Sequence, residues 1–198
     1  MYSLKKPSDK QIQAFLSQQE RAPFSYSEVG VTRQTLPPRG YIVDHYRIKL
    51  GHGEKTFRAG QSAVSQWTMF QMPWIHLCSP NTPPVEGATR TLLVRCFKLW
   101  ALFATRVVYL IDEKEPMRRF GFAYGTLPAH AEQGEERFTV EWLPSDDSVW
   151  YDILAFSRPN QLLLYLAYPY IRHLQKRFGR ASLQAMVRAA ANPPAHFS

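Results

Sequence analysis

Four polar side chains near the ends of three predicted strands could carry acid/base chemistry or bind an acidic group. Apolar residues repeat with period two over 118–127, 135–143 and 148–157, which predicts three antiparallel strands. In such a meander the first strand ends, the second begins and the third ends at the same edge of the sheet. The polar residues that we expect to meet at this edge are His130, Glu135, Glu136 and Arg158.

The polar edge allows a structural role and a chemical one. Glu135 and Arg158 could form an ion pair that ties the hairpin loop to the start of the last helix. Alternatively, Arg158 binds an acidic head group while His130 or Glu135 acts as an acid or base. The predicted amino terminus of the last helix lies at the same edge, where its free N–H groups favour an anionic group. The sequence leaves both roles open.

Two more polar residues lie within apolar strands. Tyr124 shares a strand face with Phe122, and a buried phenol needs a hydrogen-bond partner, either within the protein or on a ligand. Asp152 lies between Trp150 and Leu154, where an unpaired buried carboxylate would be costly and would have a raised pKa. Because the other face of that strand is equally apolar, Asp152 is either a site residue or a solvent-facing one.

Metal, nucleotide and covalent chemistry have no motif in this sequence. His52, His76 and His130 are scattered, and none has the neighbours needed for a full set of metal ligands. The glycines of GFAYG at 121–125 lie on a predicted strand that no helix follows, unlike those of a nucleotide-binding loop. We therefore expect no metal and no cofactor.

Length and composition favour one domain with an aromatic interior. The 198 residues are 45% hydrophobic and 14% aromatic, and aromatic residues favour sheet. Cys78 and Cys96 form no CxxC pattern and no secretory signal is recognisable, which favours a reducing, cytoplasmic compartment. The longest apolar run, 92–111, contains three basic residues that would each cost about 2.5–3.5 kcal/mol at a bilayer centre, so we expect strands there.

The predicted elements form an α+β fold, a curved antiparallel sheet wrapped around a long carboxy-terminal helix. Ser8 and Gln11 have the spacing of a capping box, which predicts a helix over 8–20. The remaining strands are predicted over 41–50, 89–98 and 102–112, with a short edge strand between Pro73 and Pro84. As a single domain over 1–198, the chain divides into a helix and lead-in (1–40), a sheet (41–157) with a crossing helix (54–70), the last helix (158–190) and a frayed tail (191–198).

Positive charge is concentrated at the carboxy-terminal end. The formal net charge is +8, and Arg172, Lys176 and Arg180 are four residues apart, so they form one stripe on a helix. The stripe is either a solvated helix face or a surface that contacts an anionic membrane. Nucleic acid is disfavoured as a partner because no aromatic residues alternate with the basic ones.

Several long motifs resemble one known family. The segments LGHGEKTF (50–57), QWTMF (66–70), GFAYGTLPAHAEQGEERF (121–138) and VWYDILAFSRP (149–159) are similar to the bacterial and plant domain-of-unknown-function 1990 family, over about 41–178. More remotely, the order of elements resembles the helix-grip fold of START-like lipid-binding and birch-pollen-allergen-like proteins. That resemblance implies a cavity between the sheet and the last helix.

Three functions follow as hypotheses. The first is binding of a small apolar or amphipathic ligand, lipid-like or polyketide-like, in that cavity. The second is an acid/base enzyme, a cyclase, isomerase or hydrolase, with His130, Glu135 and Asp152 as candidate catalytic residues. The third is a module that contacts an anionic membrane or another protein. The predicted ligand-binding residues are Trp67, Trp74, Phe122, Tyr124, Trp150 and, at the mouth, Arg158.

Overall fold

The computed structural model describes residues 1–33, 39–78, 82–96, 98–160 and 168–192. Short 3-10 turns lie at Val31–Arg33 and Thr68–Phe70. The helices and strands are, in chain order, β1 (Tyr2–Ser3), α1 (Asp9–Gln19), β2 (Ile42–His52), α2 (Gly53–Ser65), β3 (Ile75–Leu77), β4 (Thr89–Cys96), β5 (Leu99–Glu113), β6 (Arg118–Thr126), β7 (Glu132–Trp142), β8 (Ser148–Pro159) and α3 (Tyr168–Ala191).

One antiparallel sheet organises the described part of the chain. Its strands follow the order β2-β8-β7-β6-β5-β4-β3, and β1 adds to the start of β5, where Tyr2 pairs with Ala101. The sheet curves around α3, which lies on its concave side together with α2. The predicted fold class, a curved antiparallel sheet around a carboxy-terminal helix, is confirmed.

The concave face of the sheet carries the main core. Strands alternate their side chains between faces, so every second residue of β6, β7 and β8 points toward the helices. Burial of this apolar surface is the main force that holds α2 and α3 on the sheet. The largest fully buried core side chains include Phe57, Trp67, Met69, Phe122, Phe138, Tyr151, Ile153 and Met186.

The convex face of the sheet is covered by the amino-terminal region. The predicted capping box is confirmed, with Ser8 Oγ accepting from the Gln11 backbone, and Ile12 and Phe15 of α1 pack on Leu102 in a second core. The segment after α1, called the lead-in here, crosses the sheet with its described residues 20–33. It contacts the buried carboxylate of Glu135.

Glu135 anchors that lead-in to the sheet. Its carboxylate accepts hydrogen bonds from Tyr26 Oη at 2.8 Å, the Gly30 backbone N–H at 2.7 Å and the Thr32 backbone N–H at 3.0 Å. Thr32 Oγ1 donates to it as well. Since only 2% of Glu135 is exposed, these donors replace the water that the carboxylate loses on burial.

The last helix does not begin at residue 158 as predicted. Strand β8 continues through Pro159, because β7 extends back to Glu132 and pairs with it there. Ser157 and Pro159 resemble a helix start by residue type, but here they belong to a strand. The described part of α3 covers Tyr168–Ala191, and the predicted apolar positions 163 and 166 lie outside the described residues.

The structure shortens one predicted helix and shows strands in the longest apolar run. The crossing helix predicted over 54–70 ends at Ser65, since Trp67 adopts a left-handed backbone conformation with φ 55° and starts a 3-10 turn. The apolar run 92–111 lies within strands β4 and β5. In the described ranges, no helix combines the length and hydropathy that crossing a bilayer requires.

A glycine lets α3 approach the sheet closely. Gly179 is buried against Tyr46 of β2, and a Cβ at this position would lie 2.7 Å from ring atom Cε2 of that tyrosine. Real Cβ contacts are longer, so any side chain here displaces either the ring or the helix.

The substitution Gly179→Ala tests this close approach. Alanine favours a helix by about 1 kcal/mol, but overpacking costs about 1–3 kcal/mol. We expect the free energy of unfolding to fall by about 1 kcal/mol, as measured by urea denaturation. Tyr46→Leu removes the ring that the alanine would contact. Gly179→Ala should therefore lower the unfolding free energy less in the Tyr46→Leu background than in the wild type. A Gly179→Ala variant more stable than the wild type would contradict the packing described.

Candidate functional site

A cavity of about 420 Å³ lies between the concave face of the sheet and α3. Strands β4 and β5 line one part of it, α3 covers it, and residues of β2, β6, β7 and β8 complete the lining. The wall is mainly apolar. Its apolar side chains include Phe70, Trp74, Leu92, Val94, Ala101, Phe103, Leu174 and Phe178.

One part of the cavity wall is polar and is built by β7. Period-two alternation places Glu132 and Glu136 on the same face as the core residue Phe138. Tyr124 Oη donates a hydrogen bond to Glu136 Oε2 at 2.6 Å. Glu132 Oε1 accepts from Ser157 Oγ at 3.2 Å and from the side-chain amide of Gln175 on α3.

Both carboxyl groups titrate near neutral pH. Burial raises the pKa of Glu132 to about 7, against hydrogen bonds from Gln175 and Ser157 that lower it. Burial also raises the pKa of Glu136 to about 7, and the charge of Glu132 adds to this effect. Burial and the neighbouring Glu136 raise the pKa of Tyr124 well above its ordinary value. The pair can therefore donate or accept a proton at physiological pH.

His130 lies beside this pair in its neutral form. Burial lowers its pKa to about 4, and Nδ1 lies 3.1 Å from both the backbone N and O of Glu132. The imidazole packs against Phe103, with ring centroids 4.8 Å apart. His130 thus lines the cavity without adding a positive charge at pH 7.

An ion pair connects α3 to the edge strand at the rim of the cavity. Arg172 binds Asp44 of β2 through two N–O contacts of 2.5 and 2.8 Å, and it donates to Gln175 Oε1 at 2.6 Å. The hydrogen bond from Arg172 to Asp44 raises the pKa of Arg172. Arg172 is therefore not part of an open basic stripe.

The exposed basic face of α3 differs from the predicted stripe. It comprises His173, Lys176, Arg177 and Arg180, which lie on one side of the helix. The Arg177 guanidinium lies 4.9 Å from the centroid of the Trp74 ring. Contact of Lys176 and Arg180 with an anionic membrane stays a prediction.

The structure divides the predicted site residues into three groups. Trp74, Tyr124 and His130 line the cavity. Trp67 and Phe122 lie in the core behind the cavity wall, with ring centroids 4.5 Å apart. The remaining four lie on the convex face of the sheet, and they are Glu135, Trp150, Asp152 and Arg158.

The predicted meeting of Glu135 with Arg158 is wrong. Arg158 pairs in register with Gln133, donates to Gln133 Oε1 at 3.1 Å and stacks 4.4 Å from the Tyr41 ring, whereas Glu135 binds the lead-in. The predicted helix amino terminus does not lie at Arg158, since β8 continues past this residue. Neither residue carries its side chain into the cavity, so a head-group contact by Arg158 is not supported.

Asp152 and Trp150 take part in a charged network on the convex face. Asp152 accepts from His45 Nε2 at 2.6 Å and from Arg137 at 3.3 Å, so its carboxylate is paired. The Arg47 guanidinium lies 5.0 Å from the Trp150 ring. Both residues stabilise the sheet on the side away from the cavity.

Sequence reasoning missed Glu132 and gave Glu136 no role of its own. The sequence does contain the signal, because counting back by two from Phe138 reaches residues 136, 134 and 132 on the same face. The starting point of β7 was the obstacle, since the strand begins three residues earlier than predicted. Within the described ranges, no group of three His, Cys, Asp or Glu is placed to hold a metal ion.

The raised pKa of Glu136 makes stability depend on pH in a defined direction. Its folded-state pKa of about 7 exceeds the ordinary 4.5, so its contribution is full below about pH 4.5 and is lost as pH rises through 7. The wild type should lose stability as Glu136 ionises, whereas glutamine does not titrate. From about pH 5 to pH 8, we therefore expect the unfolding free energy of Glu136→Gln, minus that of the wild type, to rise by about 2–3 kcal/mol. Urea denaturation at both pH values measures this.

The matched control for this experiment is Glu86→Gln at an exposed position. It should keep a constant difference from the wild type across the same range. His130 has a lowered pKa, so its contribution is lost as pH falls below about 6.5, but this effect is common to all three proteins and cancels. A constant difference between Glu136→Gln and the wild type would contradict the burial of an ionisable Glu136.

Two solved structures show similar folds at low sequence identity. Norcoclaurine synthase from Thalictrum flavum, in complex with dopamine and hydroxybenzaldehyde, matches with a TM-score of 0.48 and 9% identity, covering 82% of this chain and 98% of the synthase. Human STARD10 matches with a TM-score of 0.48 and 11% identity, covering 96% of this chain and 82% of its own.

Sequence relatives span almost the whole chain. A UPF0548 protein of Dictyostelium discoideum is 32% identical and covers 97% of both chains. A UPF0548 protein of Deinococcus radiodurans is 35% identical, covering 96% of this chain and 99% of its own. The family model described as a domain of unknown function, DUF1990, matches residues 25–185. The resemblance predicted from the motifs is confirmed, and the chain belongs to the DUF1990 family.

Proposed function

We propose that this protein binds a small amphipathic molecule in the cavity between the sheet and α3. The apolar part of the ligand lies against the aromatic and aliphatic wall, and its polar end reaches Glu132 and Glu136. The observation that carries this proposal is one unfilled space of about 420 Å³ that is apolar along its length and polar at one end. Small-molecule sites have this size and composition.

The size of the cavity argues against a packing defect. Protein interiors pack as densely as organic crystals, and unfilled volume costs about 24 cal/mol per Å³ in cavity-creating variants. A space of about 420 Å³ is far larger than the voids left by imperfect packing, which rarely exceed the size of a water molecule. The surrounding residues are large, so the space does not arise from small side chains alone. An amphipathic occupant would replace water against the apolar wall.

A second candidate function is acid/base catalysis on the bound molecule. The observation that favours it is the presence of two carboxyl groups, Glu132 and Glu136, with pKa values of about 7 at the end of an apolar cavity. They take the place of the predicted candidates Glu135 and Asp152, which lie on the other face. One carboxylate would remove a proton from a carbon of the ligand, and the other, protonated, would return one, as in an isomerase.

Binding is tested first by native mass spectrometry of the purified protein, with extraction of any small molecule that accompanies it. We expect one reproducible mass. The same protein should bind the neutral fluorescent probe N-phenyl-1-naphthylamine. Ala101→Trp places an indole in the cavity, because Ala101 lines it and is 5% exposed, and it should weaken probe binding at least about tenfold.

Leu110→Trp is the matched control, since Leu110 is 44% exposed on the same strand and does not line the cavity. It should bind the probe as the wild type does. If Ala101→Trp does not fold, Val94→Trp, which faces the cavity from β4, replaces it. Equal probe binding by the cavity variant and the control would refute the proposed site.

Catalysis is tested with the extracted molecule in deuterium oxide. An acid/base reaction exchanges a carbon-bound hydrogen, so the wild type should introduce deuterium and the double variant Glu132→Gln with Glu136→Gln should not. The mass of the ligand measures the exchange. If the wild type introduces no deuterium, proton transfer at carbon is excluded and binding remains the function.

A further inference from the structure

The charges around the cavity differ from those of the whole chain. The protein has 24 Lys and Arg residues against 16 Asp and Glu, yet none of the described residues that line the cavity is Lys or Arg. Four acidic residues border the cavity, and they are Asp44, Glu132, Glu135 and Glu136. The Glu135 carboxylate is bound by the lead-in, and Asp44 forms an ion pair with Arg172. Arg172 also acts on Glu132 from the rim, but neither Glu132 nor Glu136 forms an ion pair among the described residues.

We propose that the cavity selects a cationic amphiphile, a primary amine whose ammonium group binds in the polar region formed by Glu132 and Glu136. This inference rests on the proposed binding function and names the chemical class of its ligand. The ammonium supplies the missing positive charge, and the hydrocarbon part occupies the apolar wall.

The hydrogen bonds of the two glutamates leave oxygens for such a ligand. Glu132 uses Oε1 for Ser157 and Gln175, and Glu136 uses Oε2 for Tyr124. The second oxygen of each carboxyl group accepts no hydrogen bond from the part of the chain that the structure describes, so it can accept one from a ligand. An ammonium group has three N–H donors and no acceptor, so it fits a site that offers mainly acceptors.

Other polar ends fit this site less well. A carboxylate or phosphate would place a second anion beside Glu132 and Glu136 in a region of low dielectric, where none of the described lining residues is Lys or Arg. An alcohol has one donor and no charge. Aromatic rings add a further preference for a cation, since Tyr46, Phe70 and Phe178 line the same space.

Binding of an amine should release a proton. At pH 7 the carboxyl groups of Glu132 and Glu136 are partly protonated because burial raises their pKa values to about 7. A nearby ammonium stabilises the ionised forms. Tyr124 and His130 are neutral at this pH, whereas two charged neighbours act on the pair. Arg172 lowers the pKa of Glu132, and Asp44 raises the pKa of both glutamates.

Displacement of N-phenyl-1-naphthylamine by three ligands of equal chain length tests the selectivity. The ligands are decylamine, decanol and decanoate, at pH 7 and below the concentrations at which they form micelles. A charge-assisted hydrogen bond is stronger than a neutral one, so we expect decylamine to bind about tenfold more tightly than decanol. Decanoate should bind most weakly of the three.

Glu132→Gln and Glu136→Gln should each reduce the preference for decylamine over decanol about tenfold, with the affinities of both ligands measured in the same variant. The exposed control Glu86→Gln should keep the full preference. Calorimetry of decylamine binding in two buffers of different ionisation enthalpy should show proton release in the wild type. In the double Gln variant the release should disappear.

The outcomes separate this inference from the binding function. If the probe binds and Ala101→Trp blocks it, but decanoate or decanol displaces it as well as decylamine does, the cavity binds ligands and the amine selectivity is wrong. An unchanged preference in both Gln variants would also overturn the selectivity. If the probe does not bind the wild type at all, the binding function fails, and the selectivity fails with it.

Discussion

The alternation of side chains along β7 is the constraint on which both faces of this protein depend. Glu135 points to the convex face, where it accepts hydrogen bonds from the lead-in and fixes that segment on the sheet. Its neighbour Glu136 points to the concave face and, with Glu132, makes part of the cavity wall polar. These three nearby glutamates thus have two different roles, and a register shift of one residue would exchange them.

The same alternation separates the charges of the protein. On the convex face carboxylates are paired, with Glu141 held by Arg47 at 2.9 Å and by Arg119 at 3.3 Å, and Asp152 held by Arg137. On the cavity side, the two glutamates of β7 form no ion pair among the described lining residues, and hydrogen bonds from neutral side chains hold them instead. Burial raises the pKa of both toward neutrality, although the charge of Arg172 opposes this at Glu132.

Much of the fold was predictable from the sequence, and the site only in part. Period-two patterns locate the strands because burial of one face requires them, and the spacing of Ser8 and Gln11 indicates the first helix. Strand ends are less determined, since Ser157 and Pro159 suit a helix start as well as a strand. Reading these residues as a helix start placed Arg158 at the cavity mouth. Because β8 in fact continues through Pro159, Arg158 is a strand residue that faces the convex side.

The hydrogen-bond partners of the buried carboxylates on the convex face could not be predicted from local sequence patterns either. Glu135 is satisfied by Tyr26, Gly30 and Thr32, more than 100 residues earlier in the chain. No spacing rule connects residues so far apart, and a buried carboxylate viewed without its partners resembles a catalytic one. Asp152 resembled a site residue for the same reason, and His45 and Arg137 account for it.

The two halves of α3 attach to the sheet by different physical means. Near its start the contacts are polar, from Arg172 to Asp44 and from Gln175 to Glu132, and water can replace such partners at little net cost. Near its end Gly179 and Met186 pack in the core, where separation would expose apolar surface. The first half, which covers the cavity, is therefore held by directed polar contacts in addition to the apolar contacts of Leu174 and Phe178, whereas mainly apolar burial holds the second half.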